Sequence, residues 1–248
     1  MTHDACGILV NGETLELDAS GALWWPAERT LVVADLHFEK GSFFGRGGQF
    51  LPPYDTRATL HRLNALVRNH QAERVIALGD SFHDGAAADR LGEEEIAMLA
   101  ALTRYTKWIW LEGNHDPAPP AWLGGTIAAE TVLGNLTFRH VPNPEPCAGE
   151  VAGNVHPVVQ VQRSGLRARR KCFVSDGLRL LMPAFGAYTG GFDVREEAVT
   201  SLFAREFAVF ALGRSKVYAI SGPVHVLDRK KKVESQPSAT AIRTVQNP

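Results

Sequence analysis

The sequence is poor in the features that would place it at once. Cysteine is scarce, with three in 248 residues. Cys6, Cys147 and Cys172 are widely spaced and odd in number, which excludes a CxxC metal knuckle and a disulfide framework and favours a reducing cytoplasm. No excess of charge of one sign exists either: 26 Lys+Arg stand against 27 Asp+Glu, a formal net charge of −1. That excludes coating of nucleic acid by bulk electrostatics and leaves only local basic patches. No run approaches the ~18 apolar residues that span a bilayer, so no membrane partner is expected. MTHDACGILV lacks a basic start followed by a long apolar run, so no signal peptide is expected. Internal repeats, low-complexity segments and long linkers are also missing. What is there is 45% hydrophobic and 21% charged, enough to bury a large core. One α/β domain over residues 1–232 is expected, with a polar, frayed tail over 233–248.

The first third reads as strand and helix in alternation. GILV-NG-ETLEL sets Asn11-Gly12 between two β-capable runs, the pair a type I′ hairpin turn demands. LVVADLH (31–37), RVIALGD (74–80) and KWIWLEGNHD (107–116) are short apolar runs that end in polar residues. This suits strands buried on both faces that deliver chemistry at their carboxyl ends. Between them, TRATLHRLNALVRNHQ puts Leu60, Leu63 and Val67 on one helical face, with Asp55 or Thr56 as N-cap, and 92–106 reads as a second helix. After Pro117 the texture becomes β-rich, with strands expected at 132–140, 150–156, 172–182 and 216–220 and a helix at 196–211.

Three of the strand endings carry Asp35-Leu-His37, Gly79-Asp80 and Gly113-Asn114-His115-Asp116; further on come His140 and His156. Ligands of open α/β sheets bind beyond the carboxyl ends of the strands, so these endings should converge in one crevice. A mixed oxygen and imidazole set suits Mn, Fe, Zn or Mg rather than a soft thiolate site. Two such ions about 3.5–4 Å apart clamp the attacking and leaving oxygens of a phosphoryl displacement and generate a hydroxide nucleophile. Asp80, on a tight Gly-Asp turn, is the natural bridging carboxylate.

In this order and spacing, D-x-H, GD, GNHD, His and G-x-x-H resemble the calcineurin-like metallophosphoesterase superfamily. DLHFEKGSFFGRGGQFLP and GDSFHD are similar to its ligase-associated DNA damage response endonuclease subfamily, and the resemblance covers about residues 1–230. It implies a four-layer α-β-β-α sandwich, two mixed sheets flanked by helices. It also implies a phosphodiesterase, a DNA endonuclease of ligase-linked repair, acting by in-line attack of a metal-bound hydroxide. Carried over by position, Asp35, His37 and His156 ligate a first metal, Asp80 bridges, and Asn114 and His140 ligate a second. His115 assists the leaving oxygen, and Asp116 orients or charges it. One position departs from the pattern: the last motif usually reads G-H-x-H, and here Asn154 stands where the first histidine would be. An amide oxygen is a weaker donor than imidazole, so the second site should bind less tightly and favour Mn or Mg over Zn. Two divalent ions, Mn2+ first, with Mg2+, Fe2+ or Zn2+ as alternatives, are the expected cofactors. DNA is the expected substrate, with a DNA ligase and a helicase of the same system as partners.

Singly, each histidine could be an ordinary half-buried residue; in register with two Asp and Asn114 that reading loses most of its weight. Lys40 and Arg46, in the Gly-rich segment GSFFGRGGQF, and His83 could meet substrate phosphates, while Phe43 and Phe44 could stack on a base or simply pack on the domain. The run Arg163, Arg167, Arg169, Arg170 and Lys171 reads as a solvated hairpin tip or as a backbone-binding patch. Arg229 to Lys232 and His225 read as a solvated cluster and a core residue, and Trp24, Trp25, Trp108 and Trp110 as packing. Two other functions compete: hydrolysis of nucleotides or small pyrophosphates at the same centre, and a catalytically weakened repair scaffold.

Overall fold

The computed structural model describes residues 6–48, 51, 52, 54–116, 119–163 and 166–224. The expected tail, His225 and the 229–232 cluster lie outside the described residues.

The first sheet grows from local turns. β1 (Cys6–Val10) and β2 (Glu13–Leu17) form the hairpin across Asn11-Gly12, with φ of 48° and 88° as a type I′ turn needs. β3 (Leu23–Trp25) and β4 (Thr30–Val33) continue it antiparallel. β5 (Arg74–Ala77), β6 (Lys107–Leu111) and β7 (Thr126–Ala128) then add in parallel, giving seven strands in sequence order. The crossovers are α2 (Asp55–His70), preceded by the short α1 (Lys40–Arg46), and α3 (Glu93–Tyr105). The second sheet comprises β8 (Glu130–Leu133), β9 (Leu136–Arg139), β10 (Glu150–Ala152), β11 (Val158–Arg163), β12 (Leu166–Ser175), β13 (Leu180–Leu181), β14 (Phe207–Leu212) and β15 (Val217–Val224). Its order is β15-β14-β12-β13-β10-β9-β8, with β10 parallel to both neighbours and β11 hydrogen-bonded to β12 off that path. Both sheets are mixed.

Side-chain alternation along each strand sorts residues into layers. Val32 and Ile76 turn inward with Leu17, Leu23 and Trp25 to meet Phe138, Val151 and Phe173 of the second sheet, all essentially inaccessible to water. Leu31, Val33, Val75 and Trp108 turn outward onto Leu60, Leu63 and Val67 of α2 and Leu99 and Leu102 of α3. Each such side chain contributes roughly 1.5–3 kcal/mol by leaving water. Behind the second sheet, Val174, Leu181 and Val209 pack on Val199, Leu202 and Phe203. The four layers expected are present, and Trp24, Trp25, Trp108 and Trp110 are buried in them.

The fourth layer is thinner than the sequence implied. The helix expected at 196–211 is one turn, α4 (Glu197–Thr200), and the rest is β14. FAVFAL alternates buried and open positions and is claimed by ladders to β12 and β15, so tertiary pairing overrides helix propensity. The segments expected as single strands at 132–140 and 172–182 are broken by turns. The Gly-rich stretch from Gly41, which its glycines suggest as a loop, is helical in α1 as far as Arg46. Neither Asp55 nor Thr56 is the N-cap of α2, which is Tyr54; Asp55 Oδ2 instead accepts the Gly41 N–H at 2.9 Å and Thr56 Oγ1 the Glu39 N–H at 2.8 Å. Their side chains therefore satisfy the open amides that begin α1.

Candidate metal centre

Parallel β4 and β5 do not simply end; their loops go on pairing. His37 N–H donates to the Asp80 carbonyl at 2.9 Å and Phe38 N–H to that of Ser81 at 2.8 Å. Asp35 and His37 are thereby held across from Asp80. Beyond β6, His115 N–H donates to Asp80 Oδ1 at 2.9 Å. From the second sheet, His140 follows β9 and His156 follows β10, and Asn154 N–H donates to both oxygens of Asp35 at 3.2 Å. The turns are tight: Asp35, His37, Asp80, Asn154 and His156 all have φ between 45° and 64°. For non-glycine residues this conformation costs on the order of 1 kcal/mol each, and such outliers gather at functional sites.

Two clusters result, Asp35 with His37 and His156, and Asp35 with Asp80 and His140. Both carboxylates reach both clusters. Asp35 Oδ1 lies 3.1 Å from His156 Nε2 and 3.7 Å from His140 Nδ1. Asp80 Oδ2 lies 3.9 Å from His37 Nε2, and its Oδ1 3.3 Å from His140 Nε2. Asn114 Oδ1 sits 2.8 Å from His140 Nε2. His140 Nδ1 faces the Leu78 carbonyl at 2.8 Å, and since a carbonyl only accepts, Nδ1 carries the proton and Nε2 turns to the centre.

Whether these residues suit a cation is decided by unsatisfied atoms. Both ring nitrogens of His37 and Nε2 of His156 are buried without a hydrogen-bond partner. Leaving such atoms unpaired costs about 1–3 kcal/mol each, and a divalent ion is the partner that a carboxylate–imidazole crevice accommodates. The electrostatics agree. Burial, then the Lys40 charge and His156, hold His37 far below its ordinary value, so it is a neutral donor. Burial works to raise Asp80, but its contact with His140, the His115 N–H and the nearby imidazoles outweigh it and keep Asp80 ionised. His140 moves up despite burial, because Asp80 and Asp35 attract a proton to where a cation would sit.

The remaining expected site residues divide. His83 is buried beside the centre, its ring stacked on His115 at 5.4 Å and edge-on to His37 at 5.6 Å. Phe43 and Phe44 pack on that ring, so they are engaged by the domain. Lys40, half-buried at the start of α1, feels the charges of Asp80 and Asp35. Arg46 is exposed at the far end of α1, in a hollow with Phe43, Phe44 and Asp84, away from the two clusters. Asp116 does not orient His115: its Oδ2 accepts the Phe82 N–H at 3.0 Å, and burial pushes its pKa up to about 7. The group that meets His115 Nδ1 is the His83 carbonyl, at 2.9 Å. That contact had no sequence signal, since any residue supplies a carbonyl. The sequence marks Gly113 only as part of a strand ending and not why it must be glycine; a Cβ there would come to 2.5 Å from Asp116 Oδ1 and would collide with Asp80.

Oxygen and imidazole donors gathered beyond parallel strand ends, with orphaned nitrogens facing inward, define a metal-dependent hydrolase of phosphate esters. The chain belongs to the calcineurin-like phosphoesterase family, whose profile matches residues 28–159. Among solved structures it is similar to nuclease MPE of Pseudomonas putida, with 31% identity and a TM-score of 0.68 over 88% of this chain and 100% of that one. It also aligns with Yfce, a phosphoesterase from E. coli (14% identity, TM-score 0.39, 77% and 97% covered). A third alignment is to Vps29 of Entamoeba histolytica complexed with zinc (13%, 0.31, 79% and 99%). No curated protein matches it. No described helix is long and apolar enough to cross a membrane.

Proposed function

We propose that the protein is a two-metal phosphodiesterase that cuts DNA, belonging to the ligase-associated DNA damage response endonucleases. The observation that carries this reading is the pair of clusters that meet at Asp35, one of them completed by Asp80, with three buried imidazole nitrogens that make no hydrogen bond. The similarity to a nuclease over the full length of that protein supports a nucleic-acid substrate.

Asp35, His37 and His156 would hold the first ion and Asn114 and His140 the second, with Asp80 serving both and Asn154 as a weak further donor. Bound there, the ions supply Lewis-acid stabilisation of the phosphoryl oxygens and a water nucleophile of lowered pKa. The protein's own part is positional. The His83 carbonyl fixes the His115 ring so that Nε2 faces the centre, 3.8 Å from Asp80 Oδ2, while the side chain stays 42% exposed toward entering substrate. From there His115 gives a proton to the leaving oxygen. Lys40 adds positive charge at the rim. Manganese is the proposed native metal, residues 1–232 the working unit, and a ligase and helicase of the same repair system the partners in the cytoplasm.

Hydrolysis of an aryl phosphodiester with added manganese tests the reading, with Asp80→Ala in parallel. Loss of several kcal/mol of transition-state stabilisation predicts a fall of about a thousand-fold. A variant that keeps more than about a tenth of the activity refutes the assignment. With that centre working, hydrolysis of an oligodeoxynucleotide in preference to mononucleotides supports DNA, and the reverse order makes the protein a nucleotide phosphatase.

A further inference from the structure

Beside the metal centre lies a cleft of about 590 Å³ whose charge is almost wholly of one sign. Arg62 of α2, Arg169, Arg170 and Lys171 of β12, and Arg214 line it, and Asp18 is the single acid. Asp18 is turned to its own chain, accepting the Ser20 N–H at 2.7 Å. Several arginines elsewhere meet a carboxylate, among them Arg57, Arg90, Arg139 and Arg179. Among the described residues, none of the five cleft cations forms a salt bridge. A chain of net charge −1 has thus gathered five cations without salt bridges in one place.

Three of the five are tethered to the cleft wall by backbone carbonyls. Lys171 Nζ donates to the Ala184 and Gly186 carbonyls at 2.8 and 2.6 Å, which uses two of its three protons and leaves one for an acceptor in the cleft. The Arg62 guanidinium lies over the Phe185 ring at 4.2 Å and donates to the Phe185 carbonyl, with most of its N–H groups unspent. Arg169 donates to the Gly191 carbonyl. Burial and the charge of Arg62 push Lys171 down to about 8, so the site is crowded with cations that an anion would relieve. The wall they hold rests on the metal loops: Gly186 N–H donates to the Asp35 carbonyl at 3.1 Å, and Gly191 packs against the backbone of His156.

The geometry points to a phosphodiester-binding track: the cleft holds the backbone of a nucleic-acid strand and leads it to the metal centre. It rests on the phosphodiesterase reading and extends it with a substrate channel. Contacts of this kind carry no sequence information, so binding is sequence-independent and strongly salt-dependent.

The test is anisotropy of a fluorescein-labelled oligothymidylate with the full chain in EDTA, titrated across salt. Arg170→Gln/Arg214→Gln removes two exposed cations of the cleft; Arg104→Gln/Lys107→Gln removes two exposed cations on α3 and β6. The cleft variant is expected to bind about ten-fold or more weakly at ~50 mM salt and to lose about 1.4 from the log–log salt slope, ~0.7 per phosphate contact. The other variant should change affinity less than about two-fold. Equal losses in both, no loss in the cleft variant, or no binding by the wild type overturns the track. Arg170→Lys/Arg214→Lys should restore most of the affinity, and a failure to do so likewise overturns charge as the cause. Aryl phosphodiester hydrolysis by the wild type alone reports separately on the metal centre, so either idea can fail without the other.

Discussion

Gly113→Ala puts one methyl group where the centre has no room for it. The new Cβ would stand 2.5 Å from Asp116 Oδ1 and nearer still to the amide nitrogen and Oδ1 of Asp80. Ordinary contact begins near 3.4 Å, so the overlap is about 1 Å, and it falls on backbone and on a buried carboxylate rather than on a pliant side chain. Two hydrogen bonds share that turn, His115 N–H to Asp80 Oδ1 and Phe82 N–H to Asp116 Oδ2. Relief therefore requires Asp80 or the 113–116 turn to move by roughly that 1 Å. A shift of this size at reacting groups costs about a hundred-fold in rate, and overpacking costs about 1–3 kcal/mol in stability. Steady-state hydrolysis of the aryl phosphodiester and thermal unfolding read the two effects. Gly85→Ala, with nothing within 4 Å of its Cβ, should change neither. Activity of Gly113→Ala within about three-fold of wild type would refute the claim that the Asp80 turn is geometrically fixed.

Arg179→Met should be among the most damaging single changes away from the centre. Arg179 meets buried Glu150 at 2.6 Å, outside good hydrogen-bond angles, and ties down the carbonyls of Asn143, Glu145 and Leu202. Removing it leaves a carboxylate at 0% exposure with only the longer Arg139 contact, at 3.5 Å, as its cation, and breaking a buried pair in this way costs about 3–5 kcal/mol. At ~2–4 °C per kcal/mol this lowers Tm by roughly 6–20 °C, and adding Glu150→Gln should recover part of it. A cost under about 1 kcal/mol would refute the reasoning. The Arg90 guanidinium, at 2.5 Å, holds Asp84 below its ordinary value against the opposing pull of burial. A depressed carboxylate contributes stability that is present above its unfolded pKa of ~4 and is lost as pH falls through the folded value. Asp84→Asn should therefore cost ~1 kcal/mol near pH 7 and flatten the acid limb of urea denaturation between about pH 5 and 2. An unchanged acid limb would remove the pair from the stability account.

Wherever structure depends on near neighbours, the sequence was enough. Asn11-Gly12 specifies its hairpin through the φ values that only such residues accept cheaply, and the three apolar runs of the first sheet form because each is buried on both faces. The polar residues that close those runs mark the site for the same reason: a buried parallel strand meets solvent chemistry only at its end. Tertiary structure decided what lies between distant segments. Asp35 and Asp80 come from one sheet and His140 and His156 from the other, so their meeting required the two sheets to pack face to face through Trp25, Phe138 and Phe173. The 207–212 segment became a strand because β12 and β15 offered it ladders that no local rule foresees. Lys171, which sequence leaves between a solvated hairpin tip and a backbone-binding patch, is drawn inward by the carbonyls of Ala184 and Gly186. Backbone carbonyls carry no residue signature, so the two contacts that orient His115 and Lys171 could be seen only once the chain had folded.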